Sequence, residues 1–187
     1  MNMTTIVFAH PWHGSFNKAI LDTVTSKLTA ENKPFQIIDL PKDGFNPVFT
    51  EEELALFNKG MALDPLVLKY QEMIKATKEI IFIFPIWWGT VPAILKGFFD
   101  KVLLRGFAYT ANEEGHLIPL LDIAKSSVIT TSQAPSEIFE SYMNGYFKAF
   151  FMDAVGMKNL QWINCDNTSM GPDEHRKAFL EKVEKSI

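Results

Sequence analysis

Apolar residues in this chain gather into short unbroken runs, separated by longer stretches in which they recur every three or four positions. The strand-like runs fall at residues 4–9, 34–39, 79–84, 127–131 and 160–164. Ile80 to Phe84 is β-branched and aromatic with no polar alternation, as expected of a strand buried on both faces of a parallel sheet. Helical spacing occupies 16–31, 65–76, 91–104, 135–154 and 172–185. In the last of these, Phe179, Leu180 and Val183 share one side and Glu181, Lys182 and Glu184 the other, so this helix is expected to cover a sheet face. Five strand–helix alternations predict an α/β fold, a doubly wound parallel sheet with helices on both faces, in a single domain over residues 1–187. Sheets of this kind commonly run in the order 2-1-3-4-5, which sets the loops after strands 1 and 3 on either side of one crevice. Two segments break the rhythm: 41–64, with a short helix expected near 51–59, and 105–121, with a small hairpin expected. Excursions of that length often carry ligand or partner contacts.

The loops at the crevice have unusual composition. After the third strand come Pro85, Ile86, Trp87, Trp88 and Gly89. Pro85 lacks a backbone donor and ends the strand, Thr90 is a candidate N-cap, and Val91-Pro92 is expected to open the next helix. Two adjacent indoles at a strand's carboxyl end are either the wall of a pocket for a flat ring or half-buried packing aromatics, and the dipeptide alone fits both. The first loop reads His10-Pro-Trp-His-Gly-Ser-Phe-Asn17 and runs directly into a helix. Free N–H groups at that helix start, with the Ser15 and Asn17 side chains, suit a phosphate; Ser15 as an ordinary N-cap and His10 as a satisfied polar residue fit the same letters. Neither the dinucleotide glycine pattern nor a Walker P-loop is present. A third loop, Thr131, Ser132 and Gln133, offers hydroxyl, amide and backbone groups at the same sheet edge, though such residues are also common turn chemistry.

Composition narrows the classes. The 187 residues are 47% hydrophobic with a formal charge of −4, giving no basic field for nucleic acid or an anionic membrane. No apolar segment approaches the roughly 20 residues of a membrane span, and the opening residues lack a basic region or cleavage site, so a cytoplasmic location is the expectation. The single cysteine, Cys165, excludes an intrachain disulfide, and the four histidines are too scattered for a zinc motif, so no metal is expected. Without a metal set, a catalytic triad or a close acidic pair, a crevice of hydroxyls, indoles and a phosphate-like seat suits a cofactor that carries the chemistry itself.

Phe84-Pro-Ile-Trp-Trp-Gly-Thr-Val-Pro-Ala-Ile-Leu-Lys-Gly-Phe-Phe-Asp-Lys-Val102, continuing to Gly106-Phe-Ala-Tyr-Thr110, resembles the NAD(P)H:quinone oxidoreductase (DT-diaphorase-like) family of flavodoxin-like flavoproteins. Ala9-His-Pro with Ser15-Phe-Asn17 resembles it too, and Asp64-Pro-Leu-Val and Tyr70-Gln resemble its short bacterial members. The resemblance implies a flavin with its phosphate end at His10, Ser15, Phe16 and Asn17. Its ring would lie against Pro85, Ile86, Trp87, Trp88 and Gly89, with Thr131, Ser132 and Gln133 at the other edge. It implies ping-pong hydride transfer from NAD(P)H to a quinone or similar acceptor, and a Tyr or His assisting; Tyr142, Tyr146 and His116 are the candidates. Where the family often has glycines after the paired threonines, this chain has Ser132-Gln-Ala-Pro135. Its C-terminal part lacks the segment that helps longer animal members hold an adenine, so FMN is expected, with FAD the alternative. A homodimer is also implied. Other functions fitting the same resemblance are an azo or nitro reductase, a pure electron carrier, and a regulatory flavoprotein partnering a membrane potassium-efflux system.

Overall fold

In the computed structural model, which describes residues 3–187, the unbroken apolar runs lie side by side as one parallel sheet. The strands are β1 (Met3–Phe8), β2 (Phe35–Asp39), β3 (Thr77–Pro85), β6 (Lys125–Thr131) and β7 (Leu160–Cys165). Their order is β2-β1-β3-β6-β7, the expected 2-1-3-4-5 with a hairpin, β4 (Tyr109–Ala111) and β5 (Leu117–Pro119), standing apart in the 105–121 excursion. Residues 1 and 2 of the expected 1–187 domain lie outside the described residues. Among the described residues no helix is long and apolar enough to cross a membrane, and no His, Cys, Asp and Glu cluster could hold a metal ion.

The central strand shows why its sequence lacks alternation. Ile81 and Ile83 pack with Ile6 and Phe8 against one layer, whereas Ile80, Phe82 and Phe84 pack against the other, and all are fully buried. The first layer is α1 (Phe16–Ala30), which contributes Ile20, Val24 and Leu28, and α6 (Asp173–Ser186), which contributes Phe179 and Val183. The second is α3 (Pro65–Lys75), α4 (Ala93–Val102) and the segment from Glu137 to Val155. Helices therefore cover both faces, and only the strand ends and their loops are open for a site.

Three elements differ from the expected boundaries for physical reasons. The strand expected at 79–84 begins two residues earlier and takes in Pro85, which fits because only its missing N–H is lost at the terminal position. The helix expected from Val91 begins at Ala93, with Pro92 at the N-cap in an extended conformation (φ −57°, ψ 149°). A residue before proline is pushed out of helical space, so Val91 cannot start the helix and Thr90 is not its cap. The segment 135–154 is not one α-helix: α5 (Glu137–Ser141) passes into a π-helix, Tyr142–Met152, and a 3₁₀ turn, Asp153–Val155. Along it Tyr142 stacks on Tyr146 (5.9 Å between ring centres, 17° between planes), and Tyr146 packs on Phe150 at 4.6 Å with the rings tilted by 35°.

The 41–64 excursion contains α2 (Glu51–Leu56), opened by a reciprocal Thr50–Glu53 capping box. It is pinned from beneath by Lys101, only 3% exposed, whose Nζ lies 2.9 Å from Glu53 Oε1 and donates to the Asn46 carbonyl at 3.0 Å. Tyr70 donates its hydroxyl to Asp43 at 2.8 Å. These bonds make the excursion part of the scaffold rather than a wall of the crevice.

Candidate functional site

The carboxyl ends of β1, β3 and β6 carry the three loops singled out above, and the loop after β7 joins them. Together they enclose a cavity of about 390 Å³. All the expected ligand-contacting residues line it except Trp88 and Gly89: His10, Ser15, Phe16, Asn17, Pro85, Ile86, Trp87, Thr131, Ser132 and Gln133. Trp12, Thr168 and Ser169 also line it and were not anticipated. Trp12 carried a usable signal, a large apolar residue in a polar loop outside any periodic pattern. Thr168 and Ser169 carried none, being ordinary turn residues brought in by the last strand.

On one side, Ser15 caps α1. Its Oγ accepts from the Lys18 N–H at 3.2 Å, which leaves its own hydrogen free to donate. The Phe16 and Asn17 N–H groups have no intrahelical acceptor at a helix start, and the first turn holds no acidic residue. Asn17 is 3% exposed; its Nδ2 donates to Thr131 Oγ1 at 2.9 Å, whereas its buried Oδ1 has no partner. An orphaned buried amide oxygen is costly unless a ligand donor meets it, so this cavity is chemically incomplete as the chain alone builds it.

His10, in the first loop, reaches the loop after β3. Its Nδ1 accepts from the Trp12 N–H at 3.1 Å, and its ring meets that of Trp87 edge to face at 5.9 Å. Burial lowers its pKa below the usual 6.5, against the raising effect of its Trp12 backbone contact, and the nearby His13 lowers it further. The neutral imidazole with its proton on Nε2 is the form that fits: Nδ1 is then an acceptor and Nε2 a free donor.

The loop after β3 makes a tight turn. Trp87 and Thr90 exchange backbone hydrogen bonds of 3.0 and 3.1 Å, and the central residues Trp88 and Gly89 have φ of 50° and 77°. Positive φ at both central positions is what a type I′ turn requires, and it is strained for tryptophan. The turn projects Trp88 fully into solvent and leaves Trp87 at 46% exposure. Thr90, released from capping, has its Oγ1 2.9 Å from the Tyr142 hydroxyl, so the π-helix clasps the turn. Tyr142 and Tyr146 thus flank the turn outside the cavity lining. His116 lies near Glu114 on the β4–β5 hairpin, largely exposed, and is not among the lining residues.

At the far edge, Ser132 donates to the Ala134 carbonyl at 2.7 Å and accepts from Asn164 at 2.8 Å. Gln133 is engaged by Asn167 at 2.7 Å and by Ser169. The Ser132 and Gln133 side chains are thus tied to β7 and the loop after it, and the Ser132 backbone is engaged as well, its N–H donating to the Cys165 carbonyl at 2.9 Å and its carbonyl accepting from Thr168.

A family model described as a flavodoxin-like fold matches residues 2–187. An NAD(P)H oxidoreductase of Haemophilus influenzae, itself uncharacterised, is 29% identical over 94% of this chain and 89% of its own length. The ribosyldihydronicotinamide dehydrogenase [quinone] of Rattus norvegicus is 32% identical, covering 94% of this chain and 86% of that protein. Some other alignments to curated oxidoreductases reach only about half of those proteins' length. A solved NAD(P)H:quinone oxidoreductase from Methanothermobacter marburgensis superposes with a TM-score of 0.86 at 27% identity, over 99% of this chain and 96% of that one.

Proposed function

We propose, from the premise that this chain belongs to the Flavodoxin_2 family of flavodoxin-like proteins, that it is an FMN-dependent NAD(P)H oxidoreductase acting on quinone-like acceptors as a single domain over residues 1–187. The observation that carries the reading is the coexistence in one cavity of an acid-free helix start, the orphaned Asn17 Oδ1 and the Trp87 indole. Those groups fit a flavin mononucleotide. The Phe16 and Asn17 N–H groups, the Ser15 hydroxyl and the helix dipole favour its phosphate, and Asn17 Oδ1 is a waiting acceptor for a hydroxyl of the sugar chain. Pro85, Ile86 and Trp87 offer an apolar wall for a ring, and the Thr131 hydroxyl with the Gln133 backbone offers hydrogen bonds at its edge.

The chemistry a flavin supplies when bound is hydride transfer, accepted from NAD(P)H in one half-reaction and delivered to the quinone in the other. The chain's own residues bind, orient and shield. His10, whose burial favours the uncharged ring, fixes the first loop through Nδ1, while the clasped Trp87–Thr90 turn holds the apolar wall. Tyr142 and Tyr146 present phenol protons beside that turn and are the groups proposed to assist charge development on the acceptor. His116 keeps a role only where the hairpin of one copy meets the cavity of another. A homodimer is part of the reading, because Trp88, Ile138, Tyr146 and Phe150 are exposed apolar side chains that a second copy would cover. A cytoplasmic location is proposed with it. The regulatory-subunit alternative draws no support from relatives named for oxidoreductase activity.

The test is an anaerobic half-reaction. FMN-loaded protein mixed with NADH or NADPH should lose its visible flavin absorbance without any acceptor present and regain it on addition of a quinone. Persistence of the absorbance with both nucleotides would defeat the proposal.

A further inference from the structure

His13 stands in the first loop but does not line the flavin-type cavity. It lines a separate one of about 290 Å³, with Lys18 and Asp22 of α1 and with Asp39, Lys42 and Asp43 around the end of β2. The hydrogen bonds of His10, Trp12 and the Ser15 N–H close on one another within the loop. That of His13 leads out of it: Nε2 lies 3.1 Å from Asp39 Oδ2. Asp39 is the last residue of β2 and only 8% exposed, and its other oxygen accepts from the Lys42 N–H at 3.3 Å. The imidazole also meets the buried Phe8 ring of β1 edge to face, with 6.1 Å between centres. One side chain therefore fastens the loop that leads into α1 to the ends of two strands.

A histidine does more here than a fixed donor would, because histidine is the side chain whose charge changes between about pH 5 and 8. Uncharged, the ring donates its Nε2 hydrogen to Asp39; protonated, it makes a charge-assisted bond to a carboxylate, roughly twice as strong. Of the other charged groups facing His13, Lys18 and Asp22 pair with each other, Asp43 accepts the Tyr70 hydroxyl, and Lys42 lies in the turn after β2. Burial, and more weakly the charge of His13, disfavours a proton on His10, the other titratable ring of this loop. Two residues beyond His13 stands Ser15, the cap of the helix start proposed to seat a phosphate.

We propose that His13 is a positioning residue: its protonation, acting through Asp39, tightens the first loop and with it the phosphate seat, so a phosphate-bearing flavin is held more firmly in mild acid than in mild alkali. The inference rests on the function proposed above and adds a pH-dependent control to that same site.

The experiment titrates the flavin-free full chain with FMN and with riboflavin, by flavin fluorescence, from about pH 8 to about pH 5.5. The proteins are wild type, His13→Asn, His13→Lys and Asp39→Asn. Titration of the FMN phosphate and of His10 is common to all four, so each variant is read as a ratio to wild type at the same pH. The advantage of wild type over His13→Asn in FMN affinity should grow about two- to fivefold on acidification, as suits a half-exposed ion pair, and stay constant for riboflavin. Asp39→Asn should match His13→Asn. His13→Lys, charged throughout, should bind FMN at the alkaline end about two- to fivefold more tightly than wild type and equal it at the acid end. A wild-type advantage that does not change with pH, or that grows equally for riboflavin, would overturn the inference. So would its persistence in Asp39→Asn, which would mean that the ring does not act through that carboxylate. A wild type that binds neither flavin at any pH would overturn the proposed function, and the inference with it.

Discussion

Two sets of aromatic residues meet at the carboxyl edge of this sheet and are used in opposite ways. Phe82, Phe84, Phe98, Phe99 and Phe147 are buried between the sheet and the second helical layer, with ring centres 5.5–6.4 Å apart for the pairs in contact. Trp12, Trp87 and Trp88 lie a few residues from strand ends and stay largely in solvent, on backbones fixed by His10, by Ser15 and by a strained turn. The phenylalanines contribute burial. The tryptophans give the fold little burial in return for their exposure, and one sits in a conformation that costs energy. Exposure combined with rigidity separates aromatics kept for a ligand or a second copy from aromatics kept for a core, and the letters alone do not make that distinction.

Mutations that exchange these behaviours probe the contrast. The largest effect is expected from Phe98→Ala, which empties a fully buried site against Tyr70, Phe82 and Phe99 and should cost about 3–5 kcal/mol of unfolding free energy in a urea titration. A cost below about 1 kcal/mol would mean that the phenylalanine cluster is not the core it looks to be. Next, Ser15→Ala should weaken FMN more than riboflavin, by up to about tenfold, because a charge-assisted bond to the phosphate is lost only with FMN. Equal weakening of the two ligands would move the phosphate away from the start of α1. Trp87→Ala is expected to change stability by less than about 1 kcal/mol while reducing flavin affinity roughly three- to tenfold. A variant destabilised like Phe98→Ala would return Trp87 to the packing set.

Smaller effects sharpen the picture further. Trp88→Gly relieves a positive φ and should raise the melting midpoint, by up to about 1 kcal/mol in equivalent stability, because the side chain it removes makes no core contact. A loss of stability would show that the turn conformation is not a strain. The pH dependence of His10 is the smallest. Its folded-state pKa lies below the ordinary 6.5, so its contribution to stability is complete above that value and is lost as pH falls through the folded pKa. The difference in stability between flavin-free wild type and His10→Asn should therefore narrow on acidification below pH 6.5. A constant difference would show that the neutral imidazole is not what the first loop requires.

The strands were legible because a strand buried on both faces has little choice of residue: Ile80 to Phe84 reads as such without any knowledge of its neighbours. The count of alternations gave the number of strands and the common order of such sheets gave their arrangement, and the loops after β1 and β3 stood out because histidine, adjacent indoles and a capping serine are unusual at strand ends. The remainder depended on contacts distant in sequence. Thr90 reads as a helix cap until Pro92 is seen to hold that place and Tyr142, 52 positions later, is seen to take its hydroxyl. The π-helix shares its apolar spacing with an α-helix closely enough that only its backbone hydrogen bonding, which the letters do not carry, distinguishes it. Thr168 and Ser169 enter the site through the pairing of β7 with β6, which nothing in their own composition announces.

Titration of the flavin-free full chain with FMN, following flavin fluorescence and tryptophan emission together, tests the central claim most directly. The expected result is saturation at one equivalent with both signals quenched, and loss of part of the tryptophan quenching in Trp87→Phe. Unquenched FMN and unchanged tryptophan emission across the titration would contradict it.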